Sequence, residues 1–427
     1  MPDRPFGIET LCLHAGTPPD AATGARALPI HQTTSFVFDS AEHAASLFNL
    51  QTFGNVYSRI GNPTVAAFEE RMAALEGGRA AVAAATGLAA QMVALLTLCR
   101  AGDRIVAART LYGGTYSQLD FSLRKLGIET VFVDPDDPEN FRAALSENTR
   151  CLFAETIANP RLNVFDIAAV AEIAHGHGVP LVIDNTVASP YLCRPFHHGA
   201  DIVVHSATKY LGGHGTTLGG VVIESGQFDW GNGKFPEMTE PSAGYHGVKF
   251  FETFGDFGFT MRARMETLRT FGPALSPFSA WQLLQGIETL PLRMERHCGN
   301  AAAVARHLAK HPRVAWVNYP GLADSPYHAL AQRYLPRGAG AILSFGLRGG
   351  QAAGEKFIDA LQVCSHLANI GDAKTLVIHP ASTTHRQLDG DALQAAGVTA
   401  DMVRLAVGLE TLDDILWDLD QAMERAA

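Results

Sequence analysis

The chain has 427 residues, of which 47% are hydrophobic and 41 are glycine, with a formal net charge of −10. That length exceeds what one compact core organises and predicts two or three domains. The acidic balance without a Lys/Arg run argues against a nucleic-acid partner, and six scattered cysteines with no CxxC pair fit a reducing cytosol.

Residues 1–65 are mixed, rich in Thr, Gly and Pro, and read as an extended arm rather than an independent domain. Asp3 and Arg4 precede no apolar h-region, so no signal peptide is expected. From residue 66 helix and strand patterns alternate. Val65–Glu76 predicts a helix stopped by Gly77-Gly78. The uncharged run Ala80 to Cys99 is too rich in Ala, and too interrupted by Thr86-Gly87 and Gln91, to read as a membrane span. It predicts a buried strand (Ala80–Ala85), a turn and a buried helix (Leu88–Leu98).

Further strands are predicted at Arg104–Ala108, Glu129–Val133, Arg150–Glu155, Leu181–Asp184, Ile202–His205 and Gly220–Glu224, with helices such as Tyr116–Leu126 and Ile167–His175 between them. This βαβ rhythm implies an α/β fold with a mostly parallel, doubly wound sheet. Ser225–Phe259 loses the rhythm and reads as an ordered insertion near the active site or at a subunit contact. Helices are predicted at Met261–Thr270 and, as one long element, Ala280–Gly299. A smaller α+β unit then follows, with a helix to Lys310, strands near Ala315–Val317 and Ala341–Leu347, and helices at Ala352–Leu361 and Leu412–Met423. The predicted units are 1–65, 66–275 and 276–427.

Two strand ends carry chemistry. Leu181-Val182-Ile183-Asp184 ends in an acid, and the strand before Ser206-Ala207-Thr208-Lys209 ends in hydroxyls and a lysine. Ligands of open α/β sheets sit beyond the carboxyl ends of the strands, so Asp184 and Lys209 can face one site. An acid for a pyridinium and a lysine for a Schiff base are what a pyridoxal phosphate (PLP) enzyme requires. Thr86-Gly87-Leu88 opens a helix whose N-terminus suits a phosphate, a weak signal alone that Ser206 and Thr208 strengthen. Tyr112 in Tyr112-Gly113-Gly114-Thr115 can stack on a flat cofactor, or be an ordinary tyrosine in a glycine turn. Asn159 before Pro160 presents its amide from a loop. Arg59, in the polar segment Tyr57–Thr64, can pair bidentately with a phosphate or simply belong to a helix-entry loop. The close pairs His175/His177 and His197/His198 lack a third metal ligand and read as solvated loop histidines.

Tyr57–Thr64, Thr86–Ala90, Tyr112–Thr115, Asn159-Pro160, Asp184-Asn185-Thr186 and Ser206–Lys209 occur in the order seen in the Cys/Met-metabolism PLP enzymes, which the chain resembles over essentially its whole length. The resemblance implies the aspartate-aminotransferase type fold (fold type I). Gly213–Gly220, the insertion from Gly233-Lys234-Phe235-Pro236 through Tyr245-His246-Gly247, His366–Leu376 and His379–His385 resemble the O-acetylhomoserine sulfhydrylase branch. Carried over, Lys209 would hold the cofactor as a Schiff base, Asp184 would face its ring nitrogen, Tyr112 would stack, and Asn159 would bond near the ring oxygen. Gly87, Leu88, Thr186, Ser206 and Thr208 would line the cofactor site. Tyr57 and Arg59 would reach the phosphate of a neighbouring subunit, implying homodimer pairs, which in this family usually form homotetramers. Arg404 would clamp the substrate carboxylate, with Asn369 and Tyr57 beside it. Thr86 and Ala158 depart from the family's commoner Ser and Gly.

The reaction implied is cytoplasmic γ-replacement on O-acetyl-L-homoserine by sulfide or a small thiol, a step of methionine biosynthesis. Lys209, Tyr112 and Asp184 would be the catalytic set. An O-succinylhomoserine sulfhydrylase, a γ-lyase and an inactive PLP-binding protein are the alternatives.

Overall fold

A computed structural model describes residues 4–383 and 398–426; Thr384 and His385 of the predicted His379–His385 segment lie outside the described residues. The larger sheet has the order β1-β7-β6-β5-β4-β2-β3. Its strands are β1 (Ala80–Ala84), β2 (Arg104–Ala108), β3 (Glu129–Val133), β4 (Thr149–Glu155), β5 (Leu181–Asp184), β6 (Ile202–Ser206) and β7 (Gly220–Glu224). From β6 to β3 every pairing is parallel, while β7 runs antiparallel to both β1 and β6. Apart from the edge strand β3, which is buried only at Val133, these strands are short, mostly Ala/Val/Ile/Leu-rich and buried nearly throughout, as strands covered on both faces must be. The helix that leads into β1 caps cleanly at both ends. Asn62 accepts from the Thr64 N–H ahead of the helix Pro63–Glu76, which Gly77 ends in a left-handed conformation.

A second sheet of five strands has the order β10-β11-β12-β9-β8, with β8 (Val314–Asn318), β9 (Ile342–Leu347), β10 (Ser365–His366), β11 (Leu376–Ile378) and β12 (Met402–Ala406). Only β10 and β11 pair in parallel. Large and small sheets together make the fold-type-I architecture that the family resemblance implies.

Three expectations need correction. The predicted helix Ala280–Gly299 is two helices, Pro277–Glu288 and Leu290–Leu308, parted at Thr289. Pro291 has no N–H to continue the ladder and so sits in the first turn of the second helix. Tyr116–Leu126 is likewise not one α-helix, since Gly113–Ser117 passes into a π segment at Gln118–Ser122 and a 3₁₀ turn at Arg124–Leu126. Ser225–Phe259 does not border the site. Glu224, where the insertion leaves β7, is in register with Ile202 at the start of β6, so the antiparallel strand carries the chain to the opposite edge from Lys209. There the buried Glu224 carboxylate accepts from Trp230 Nε1, Phe259 N, and Thr260 N and Oγ1. Trp230 stacks on Phe259 with ring centroids 5.3 Å apart.

The N-terminal helix Ile8–His14 is tied to the helix Pro63–Glu76 through the buried Arg71, which donates to the Ala15 carbonyl at 2.8 Å. Between them the chain is mostly exposed, with Val37, Phe48 and Phe53 facing solvent. No helix among the described residues is long and apolar enough to cross a membrane.

Candidate active site

A cavity of about 310 Å³ opens at the carboxyl ends of β4, β5 and β6. At one end it is lined by Thr86, Gly87, Leu88, Ser206 and Thr208. Thr86 Oγ1 caps the helix Gly87–Leu98 by accepting from Ala89 N, leaving other first-turn N–H groups to a ligand. Glycine is required here, because a Cβ on Gly87 would stand 2.5 Å from Ser206 Cβ. Gly220 is required for the same reason, since its Cβ would stand 2.1 Å from the Thr86 carbonyl oxygen. Thr208 Oγ1 donates to the Gly219 carbonyl and accepts from its N–H, and Thr186 Oγ1 accepts from Ser206 N at 2.8 Å.

Asp184 lies at the floor, 9% exposed. Its Oδ1 accepts from Thr186 N at 2.9 Å and its Oδ2 from Gln91 Nε2 at 2.8 Å. Gln91 also bonds Thr115 and lines the cavity, so the helix that offers its N-terminus to an anion also orients the acid. Lys209 Nζ donates to Asn369 Oδ1. Burial, and then the nearby Arg404 charge, lower the Lys209 pKa and favour the neutral, nucleophilic amine.

Arg404 comes from β12 of the smaller sheet. Nη1 donates to Asn159 Oδ1 at 3.0 Å and Nη2 to the Asn369 carbonyl at 3.1 Å, while Nε has no partner among the described residues. Burial brings its pKa down to about 10, so it remains a cation at neutral pH. Asn369 is therefore shared between the lysine and the arginine. Tyr112 borders the cavity half-exposed, and its N–H donates to Glu155 Oε1 at 2.6 Å.

Of the sequence-predicted residues, Gly87, Leu88, Tyr112, Asn159, Asp184, Thr186, Ser206, Thr208, Lys209, Asn369 and Arg404 all line this one cavity. Tyr57 and Arg59 do not. They stand together on the exposed arm, with the Arg59 guanidinium 5.0 Å from the Tyr57 ring centroid. Gln91 and Glu155 line the cavity without having been singled out. Glu155 carried a legible signal, because it ends its strand as Asp184 ends the next.

Three of the four paired histidines take structural contacts. His175 lies in the helix Ile167–Gly176 and bonds Asp201 at 2.9 Å, which raises its pKa. His177 bonds the Ser146 carbonyl, and His198 meets Tyr334 edge-on. These three are thus engaged rather than simply solvated, while His197 is exposed as expected. Among the described residues no three His, Cys, Asp or Glu side chains gather where they could hold a metal.

The residues fit PLP on three counts: an anion cup whose glycines leave no room for a Cβ, a buried acid held by two donors, and a lysine of lowered pKa between them. The sequence matches the model of the Cys/Met metabolism PLP-dependent enzyme family over residues 9–424. It is 57% identical to an O-acetyl-L-homoserine sulfhydrylase of Leptospira meyeri, over 99% of this chain and 97% of that one. It is 53% identical to a homocysteine synthase of Schizosaccharomyces pombe, over the full length of both. Its fold superposes with a TM-score of 0.95 and 40% identity on a Campylobacter jejuni protein described as a candidate O-acetylhomoserine (thiol)-lyase, crystallised with an N′-pyridoxyl-lysine-5′-monophosphate residue. That match covers 98% of this chain and 100% of the other.

Proposed function

The chain belongs to the Cys/Met metabolism PLP-dependent enzyme family, and from that premise we propose that it catalyses γ-replacement on O-acetyl-L-homoserine. The C–O bond to acetate at Cγ breaks and a C–S bond then forms there, so that sulfide gives homocysteine and acetic acid, and a small thiol such as methanethiol gives the S-alkyl product, methionine, and acetic acid. The observation that carries the reading is the convergence of Lys209, Asp184 and Arg404 on one cavity, in a chain similar over its full length to O-acetylhomoserine sulfhydrylases.

Bound PLP supplies the electron sink for the carbanion left when protons leave the substrate. The chain's own residues do the rest. The N-terminus of the helix Gly87–Leu98, with Ser206 and Thr208, holds the phosphate, and Asp184 keeps the ring nitrogen protonated. Lys209 carries the cofactor and moves the protons at Cα and Cβ, with Tyr112 stacked on the ring as a second proton-transfer group. Arg404 binds the α-carboxylate through the guanidinium edge that Asn159 and Asn369 leave oriented. Tyr57 and Arg59, outside their own cavity, complete the phosphate cup of a second copy, which makes the working unit a homodimer or a tetramer of such pairs. Six free, buried cysteines suit the cytoplasm.

Arg404→Ala raises KM for O-acetylhomoserine by about 30-fold or more, since removing one partner of a buried, hydrogen-bonded charge pair costs ~2 kcal/mol at the least. Steady-state kinetics check this, and an unchanged KM would remove Arg404 from the site. The reaction itself is tested by giving the PLP-loaded protein O-acetylhomoserine with and without sulfide. Homocysteine formed only with sulfide, with little 2-oxobutyrate, supports the proposal. Abundant 2-oxobutyrate regardless of sulfide makes the protein a lyase, and turnover of the succinyl ester alone makes it the other sulfhydrylase.

A further inference from the structure

Glu155 has no part in the scheme above, yet it is buried, ends β4 and borders the cavity. Its two carboxyl oxygens are divided between two loops. Oε1 accepts from the main-chain N–H of Tyr112 at 2.6 Å, and Oε2 from that of Asn159 at 3.2 Å. In the parallel register of β4 and β5 it lies directly beside Asp184, so two carboxyl groups share one face of the sheet. Burial, and then the Asp184 charge, push the Glu155 carboxyl well up from its ordinary range. A second acid in this position is unfavourable unless its hydrogen bonds achieve something. Those bonds reach the two loops whose side chains face the cavity from either side. Asn159 in turn accepts from Arg404 through Oδ1.

We propose that Glu155 is a positioning residue, its carboxyl fastening the Tyr112 and Asn159 loops together so that the Tyr112 ring and the Asn159 amide meet bound PLP at a fixed separation. Through Asn159 the same carboxyl sets the angle at which Arg404 meets the substrate carboxylate. The inference rests on the cofactor site proposed above.

Glu155→Gln in the PLP-loaded protein tests it. The amide keeps the volume but turns an N–H₂ toward one of the two main-chain N–H groups, releasing one loop. PLP dissociation then becomes about tenfold easier, as for one lost hydrogen bond at the upper end of the ordinary range. The visible circular dichroism of the bound cofactor changes as the Tyr112 ring loses its seat. In a Tyr112→Ala/Asn159→Ala background the same substitution lowers kcat/KM by less than about threefold, because the groups it positioned are gone. Unaltered PLP affinity and dichroism, or losses that add fully in that background, overturn the proposal. If the glutamine variant does not fold, Glu155→Asp replaces it, one methylene too short to reach both loops and expected to weaken PLP in the same direction. Should the wild-type protein form no homocysteine, the functional reading fails, while PLP affinity and dichroism still decide the role of Glu155.

Discussion

Lys209→Ala is expected to lower homocysteine formation by about 10⁴-fold or more, the upper range for a proton-transfer group, in a residue we propose also carries the cofactor. No substitute is at hand in the chain itself, because among the described residues the other cation that lines the cavity, Arg404, is held by Asn159 and Asn369. The loss should be one of chemistry rather than folding. Among the described residues Lys209 makes a single side-chain hydrogen bond, to Asn369, and its removal relieves a buried amine. The thermal midpoint should therefore stay close to that of the wild type. Borohydride reduction followed by mass spectrometry should place the cofactor on the peptide containing Lys209 in the wild type and nowhere in the variant. Turnover within tenfold of the wild type would dismiss the assignment.

Asp184→Asn should slow exchange of the substrate's Cα proton by about 100-fold, the equivalent of one hydrogen bond to a charged group at ~3 kcal/mol. The amide removes the negative charge that would hold a proton on the ring nitrogen. It also presents an N–H₂ that must turn away from either Gln91 Nε2 or Thr186 N, both of which donate to the native carboxylate. The phosphate cup does not depend on Asp184, so PLP should bind with affinity reduced far less than the exchange rate. Deuterium uptake at Cα in heavy water, followed by NMR, measures this directly. An exchange rate equal to the wild type's would leave Asp184 without its role.

The larger sheet was legible because buried parallel strands are short β-branched or alanine-rich runs with turn residues on both sides, as in Leu181–Asp184 and Ile202–Ser206. The smaller sheet was less so. β10 and β11 span two and three residues, too short for any periodicity, and β12 was noticed for Arg404 and not as a strand. In the site, Lys209, Asp184 and Arg404 stood out as charged residues within recognisable motifs. Gln91 did not, because a glutamine inside an alanine-rich helix looks like a tolerated polar residue until Asp184 is found 2.8 Å away. Of the two places expected for the insertion, the one near the active site fails for a topological reason. The direction of β7 decides which edge the chain leaves from, and no local pattern in Gly220–Glu224 encodes an antiparallel pairing.

That reversed strand bears on how the protein is made. Gly220 is in register with Ala84 of β1 on one side and Ser206 of β6 on the other, so one residue joins the two walls of the anion cup. The ribosome delivers β1 about 140 residues before β7, on the order of ten seconds at about 5–20 residues per second. Throughout that interval Ala80–Ala84 has no native strand to pair with, and the Thr86-Gly87 turn has nothing to face. A nascent chain halted short of residue 220 can pair β2 through β6, but it cannot gather the groups proposed to grip the phosphate.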